Sequence, residues 1–156
     1  MGKTTTKFTG SINTLTDHVN LELGKLNTLL LERKPLNAKA MAQVKIMDDA
    51  CEKHMPGGLQ TEGSEQRLEK DPLYIQASKE IDKVNGMIIG VDARIRTAKA
   101  ALKAALKALS EENVKFEAYV KKKKAKWFGT KNSVPAAELC IQTAKDLIEA
   151  SRHLIV

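Results

Sequence analysis

From Ala77 to Leu109 the apolar residues of this chain recur at steps of four and three without a break: Ala77, Ile81, Val84, Ile88, Val91, Ile95, Ala98, Leu102, Ala105, Leu109. Strand residues alternate with period two, so only a helix keeps these ten on one side. A strict 3.5-residue repeat also differs from the 3.6 of a straight helix, so the stripe stays on one partner only if the helices wind about each other in a left-handed supercoil. Asp71-Pro72 supplies the start, with an Asp N-cap and a proline at the first helical position, where a missing N–H costs nothing. Gly86 and Gly90 lie one turn apart inside the seam, at about 1 kcal/mol each relative to Ala. They fit either a close approach by a neighbouring helix or a bend. Ser110-Glu111-Glu112 resembles a fresh N-cap, but no Gly or Pro falls between residues 91 and 126. The expectation is therefore one helix from Asp71 to Lys126, passing through a stutter to Phe116, Tyr119 and Val120.

Shorter helical stripes flank this segment. Ile12, Leu15, Val19, Leu23, Leu26 and Leu30 mark a helix that Pro35 is expected to end, because proline lacks an N–H and restricts the residue before it. Ala40, Val44, Met47, Cys51 and Met55 mark a second helix over about 36–54, ended by Pro56-Gly57-Gly58. A last helix opens at Pro135, with Ala137, Cys140, Ile141, Ala144, Leu147 or Ile148, Ser151 and Leu154 on one side, and the apolar end of the chain is expected to dock. Residues 1–10 carry no periodicity and read as a disordered tail. Residues 11–156 read as a single helical-bundle domain with loops near 56–70 and 128–134. The fold class expected is all-α: an elongated antiparallel helical bundle of about four helices with one long coiled-coil-like helix. Neighbours of about 20 residues would leave part of that helix uncovered and in need of another partner.

Charge is concentrated in one place. The chain carries 26 Lys and Arg against 19 Asp and Glu, a net +7. Between Arg94 and Lys126 there are 11 basic and 3 acidic residues, leaving 15 basic and 16 acidic elsewhere. Arg96, Lys99, Lys103 and Lys107 form one like-charged ridge at helical spacing, where such neighbours repel mildly unless a partner neutralises them. Lys121, Lys122, Lys123, Lys124 and Lys126 then lead into Trp127 and Phe128. Four readings of this basic patch stand side by side: a solvated face with lysines complementing a helix C-terminus, an anchor on anionic membrane, a sequence-independent nucleic-acid backbone contact, and an acidic protein partner. Trp127 would otherwise cap the end of the bundle.

Motifs for chemistry are sparse. Gly2-Lys3-Thr4 lacks the upstream glycine and strand of a phosphate loop. Cys51 and His54, with Cys140 and His153, lack the short spacings of zinc modules, so the cysteines read as reduced core thiols and no metal is expected. The adjacent acids Asp48-Asp49 and Glu111-Glu112 point in different directions on a helix and form no dyad. No catalytic residue and no cofactor is expected. No apolar run approaches the roughly 20 residues of a bilayer span, and no apolar block of a Sec-type signal follows Lys3 and Lys7. The expectation is a non-enzymatic helical interaction or scaffold protein that binds a protein partner or self-associates through its heptad helix, cytoplasmic or exported without a Sec-type signal, in keeping with a bacterial secreted or secretion-related protein. The alternative is a basic helical module for anionic membrane surfaces or nucleic-acid backbone.

Overall fold

The computed structural model describes residues 3–124 and 133–156. In chain order these form α1 (Lys3–His54), a 3-10 turn (Pro56–Gly58), α2 (Ser64–Lys70), α3 (Pro72–Lys124), α4 (Ser133–Ser151) and a closing 3-10 turn (Arg152–Leu154). No strand occurs among the described residues. The class is all-α, and α3 runs unbroken through Gly86, Gly90 and Ser110. Asp71 caps it as its sequence requires: its Oδ1 accepts the Leu73 N–H at 2.9 Å and its carbonyl accepts that of Ile75 at 3.0 Å.

Three expectations are corrected. First, helix begins at Lys3, so no disordered tail occupies residues 3–10. Thr5 and Phe8 extend the 4-3 spacing of Ile12 backwards, and the Phe8 ring stacks on Phe116 with centroids 5.1 Å apart. Second, Pro35 does not end a helix, for α1 is one helix of 52 residues. Pro35 is exposed, while Leu36 beside it is only 7% exposed and Arg33 is ion-paired to Asp92 at 2.6 Å. Packing on both sides of the proline outweighs the roughly 3 kcal/mol that an interior proline costs. Third, the expected loop over 56–70 contains α2. Gly57, Gly58 and Gly63 take positive φ in the turns, but Ser64 is 1% and Leu68 7% exposed. The length of α1 also removes the expected overhang, since α3 has 53 residues.

The chain forms two compact units. One holds residues 28–95. In it α1 and α3 run antiparallel: Arg33 meets Asp92 and His54 meets Asp71, so the climb from 33 to 54 matches the descent from 92 to 71. The α1 seam is Leu29, Arg33, Leu36, Ala40, Gln43, Met47, Ala50 and His54, all buried or half-buried and again spaced four and three. Facing it, Ala77, Val84, Val91 and Ile95 are at most 7% exposed, with Ile81 and Ile88 half-buried.

The other unit holds the described parts of 1–27 and 96–156, where three helices meet. Lys124–Glu138 at 2.8 Å and Glu117–Lys145 at 2.9 Å set α4 antiparallel to α3. On α3 the buried positions run Ala98, Leu102, Ala105, Leu109, Asn113, Phe116 and Val120. The two successive steps of four around Leu109 are the stutter. Leu106, 4% exposed, widens the buried arc, as a helix with two neighbours needs. Asn113 sits in this seam and donates its Nδ2–H to the Ile141 carbonyl at 3.1 Å. Ala137, Ile141, Ala144 and Ser151 of α4 are buried as its spacing requires, and Val156 at the end of the chain is 98% exposed.

Phe116 is 0% exposed and stacked on Phe8. Phe116→Ala is expected to cost about 3–5 kcal/mol in chemical denaturation. Gly86 and Gly90 are exposed, and a methyl group at either would meet nothing within 4 Å. Neither marks a close approach within the chain, so Gly86→Ala and Gly90→Ala are each expected to raise stability by about 0.5–1 kcal/mol in the same assay.

Candidate interaction surfaces

The basic patch expected from sequence divides in two. Arg96, Lys103 and Lys107 are exposed and Lys99 is half-buried. Among the described residues no acid forms an ion pair with any of these four. Further along α3 the lysines have company. Lys121 lies 3.6 Å from Glu117 and Lys124 2.8 Å from Glu138, while the Lys123 Nζ sits 5.9 Å from the centre of the Tyr119 ring. Lys122 is exposed. Lys126, Trp127 and Phe128 fall outside the described residues, and with them the expected junction of lysines and aromatics.

The seam residues from Ala77 to Leu109 are each buried or half-buried, so they serve the intrachain packing. Sequence spacing misses the direction in which α1 points its apolar side. The stripe of Ala40, Val44, Met47 and Cys51 was expected to face inward, yet Val44 is 40% exposed while Gln43 is half-buried and Ala50 is 5% exposed. The buried direction is thus rotated away from the apolar one.

Two ion pairs fix the edges of this helix pair. Arg33 reaches Asp92 on one edge, and its neighbour Glu32 meets Arg94 at 3.1 Å on the other. In an antiparallel pair, residues displaced in the same rotational sense on each helix share an edge. Met41, Val44 and Cys51 of α1 therefore lie on the Arg33–Asp92 edge with Ile81, Ile88 and Ile89 of α3. Met41 is 64% and Ile89 67% exposed. In this unit Leu31, Met41, Val44, Ile46, Leu59, Leu73, Ile75, Met87 and Ile89 are all exposed, against Leu21, Val114, Leu139 and Val156 in the other.

Most polar side chains pair with one another, while the buried Thr5 Oγ1 and Asn113 Oδ1 have no hydrogen-bond partner. The His54 Nε2–H donates to Asp71 Oδ2 at 2.7 Å, with Lys53 Nζ at 3.9 Å. The His54 hydrogen bond, with the capping N–H groups and Lys53, holds the Asp71 carboxyl below its usual range against the opposing effect of burial. Lys145 does the same for Glu117, helped by Lys121. Burial raises the Cys140 thiol, and both cysteines are free. Glu22, which its sequence does not mark out, is 7% exposed and has Lys25 at 3.4 Å and His18 at 3.5 Å on its own helix. Its one legible signal is the three- and four-residue spacing of those partners. A cleft of about 430 Å³ between α3 and α4 is lined by Asn113, Glu117, Lys145, Asp146, Glu149 and Arg152 among others. Glu117 pairs with Lys145 and Glu149 with Arg152, while Asp146 accepts the Gln142 Nε2–H at 2.9 Å. Among the described residues no group of three or more His, Cys, Asp or Glu could hold a metal ion, and no helix is long and apolar enough to cross a membrane.

Comparison with known proteins found no family model, no curated protein and no solved structure that matches the chain.

A carboxyl lowered in the folded state lends stability above its unfolded value, near 4, and loses it as pH falls through the lowered one. Asp71→Asn is therefore expected to lower Tm at pH 7. The gap from the parent chain should narrow steadily below about pH 4 in thermal melts, as the parent's own carboxyl takes up its proton.

Proposed function

We propose that this chain is a non-enzymatic helical interaction protein that docks a protein partner on the Arg33–Asp92 edge of residues 28–95. One observation carries this reading: the apolar direction of α1 is turned away from its buried direction, which leaves Met41 and Val44 exposed beside Ile81, Ile88 and Ile89. A pair of helices buries one stripe of each, and an apolar edge of this kind is what a further helix covers in larger bundles. Exposed apolar side chains interspersed with uncharged polar groups, here Asn37 and Asn85, are a feature of protein contacts. A photo-crosslinking residue at Val44 is expected to give adducts in the native source, whether with a second copy or another protein. The same residue at Lys39, one heptad from Glu32 and so on the opposite edge, should give few. Equal yields at the two positions, or none, would end this reading.

A second reading rests on the ridge of Arg96, Lys99, Lys103 and Lys107, whose charges no acid among the described residues neutralises. It would serve an anionic membrane surface or a nucleic-acid backbone, with affinity falling steeply as salt rises. Binding to anionic vesicles or to duplex DNA at low ionic strength, weakened at least tenfold by Lys103→Glu with Lys107→Glu, is the expected outcome. Failure to bind either at low salt removes it.

A further inference from the structure

The edge carrying Met41 also carries a charge pattern that says what covers it. Lys34, Met41 and Asp48 follow one another at seven-residue intervals, so they lie in one line along α1. All three are exposed, and no residue among those described forms an ion pair with Lys34 or Asp48. Met41, 64% exposed, stands midway between a free cation and a free anion.

That spacing is self-complementary under one operation. When a second α1 crosses antiparallel with a two-fold axis at Met41, residue 34 of each copy meets residue 48 of the other. The two Met41 side chains then pack together at the centre. By the edge rule above, the same operation sets Lys45 beside Ala38 and Val44 beside Asn37, so it opposes no like charges along this line. A parallel crossing at the same point would set Lys34 against Lys34 and Asp48 against Asp48. An isologous contact of this kind is the commonest way in which a surface patch is reused by a chain. An unrelated partner would need only the apolar residues, and nothing about it would call for a cation and an anion equidistant from Met41.

We infer that the Arg33–Asp92 edge binds a second copy of this chain, antiparallel about Met41, with reciprocal Lys34–Asp48 ion pairs. The inference rests on the docking reading above and names its partner. The apolar centre, Met41 with Val44 beside it, holds the two copies together. The two ion pairs select the antiparallel orientation more than they add affinity, as exposed pairs generally do.

The test is a charge exchange in the full chain, followed by light scattering and sedimentation over a range of concentrations at low salt. The parent chain is expected to dimerise. Lys34→Glu alone places Glu against Asp48 twice in a homodimer, and Asp48→Lys alone places Lys against Lys34 twice. Each is expected to weaken dimerisation by about tenfold or more. An equimolar mixture of the two variants pairs Glu with Lys at one contact and Lys with Asp at the other, and is expected to dimerise as the parent does. Both positions are exposed, so the circular dichroism spectrum of each variant should match the parent, and so should Tm at concentrations where the parent is dissociated. A parent chain that stays monomeric at high concentration overturns the inference, as does a mixture that associates no better than its components. The crosslinking arm separates this from the docking reading: a monomeric parent with adducts to a different protein at Val44 sinks the self-pairing and leaves docking intact, while absence of any adduct at Val44 sinks both.

Discussion

The structure depends on a mismatch between two periods. A straight α-helix repeats every 3.6 residues, and the seam of α3 repeats every 3.5. The difference is harmless over one turn and becomes decisive over ten seam positions, since an unwound stripe would drift off any straight neighbour. Each helix must therefore be matched by another with the same repeat, running alongside for the same distance. Within residues 28–95 that match is visible: the seam of α1 from Leu29 to His54 alternates four and three as that of α3 does. The ion pairs at Arg33–Asp92 and His54–Asp71 mark the register but do not create it. The half-exposed Arg33–Asp92 pair contributes little energy, whereas the seam side chains bury most of the apolar surface that holds the two helices together.

This explains which features were legible in the sequence. The heptad of α3 and the Asp71-Pro72 start could be read because they are local patterns with a single structural solution. The stripe of α4 could be read for the same reason. Pro35 misled because a local rule, worth a few kcal/mol, met a non-local contact set that the sequence does not display. Arg33 pairs with Asp92, 59 positions away, and Leu36 beside the proline is buried. Phe8 misled in the opposite direction: its neighbours in sequence are polar, and Phe116 and Tyr119, far along the chain, give its ring a place. The orientation of α1 was illegible for a subtler reason. Apolar spacing gives the apolar direction of a helix, and in α1 that direction, marked by Val44, is not the buried one.

The basic segment shows how charge composition and charge exposure part company. Sequence treats the cations from Arg96 to Lys126 as one patch. In the structure Lys121, Lys123 and Lys124 have partners in Glu117, the Tyr119 ring and Glu138, while the ridge from Arg96 to Lys107 has none among the described residues. The acid that neutralises Lys124 comes from α4, so no window along α3 could reveal it. Local net charge is an upper bound on what a surface presents, reached only where no other element supplies the opposite sign.

The stutter at Leu109–Asn113 bears on how such a chain can change length. Two successive steps of four amount to a heptad frame with four residues inserted. A chain four residues shorter at this point would carry an unbroken 4-3 frame from Ala77 to Val120, whereas a loss or gain of one or two would turn Phe116 and Val120 to the wrong side. Lengthening and shortening of α3 are thus quantised in units that return the seam to its azimuth. Asn113, the polar side chain held at that point by the Ile141 carbonyl, marks where one such unit sits.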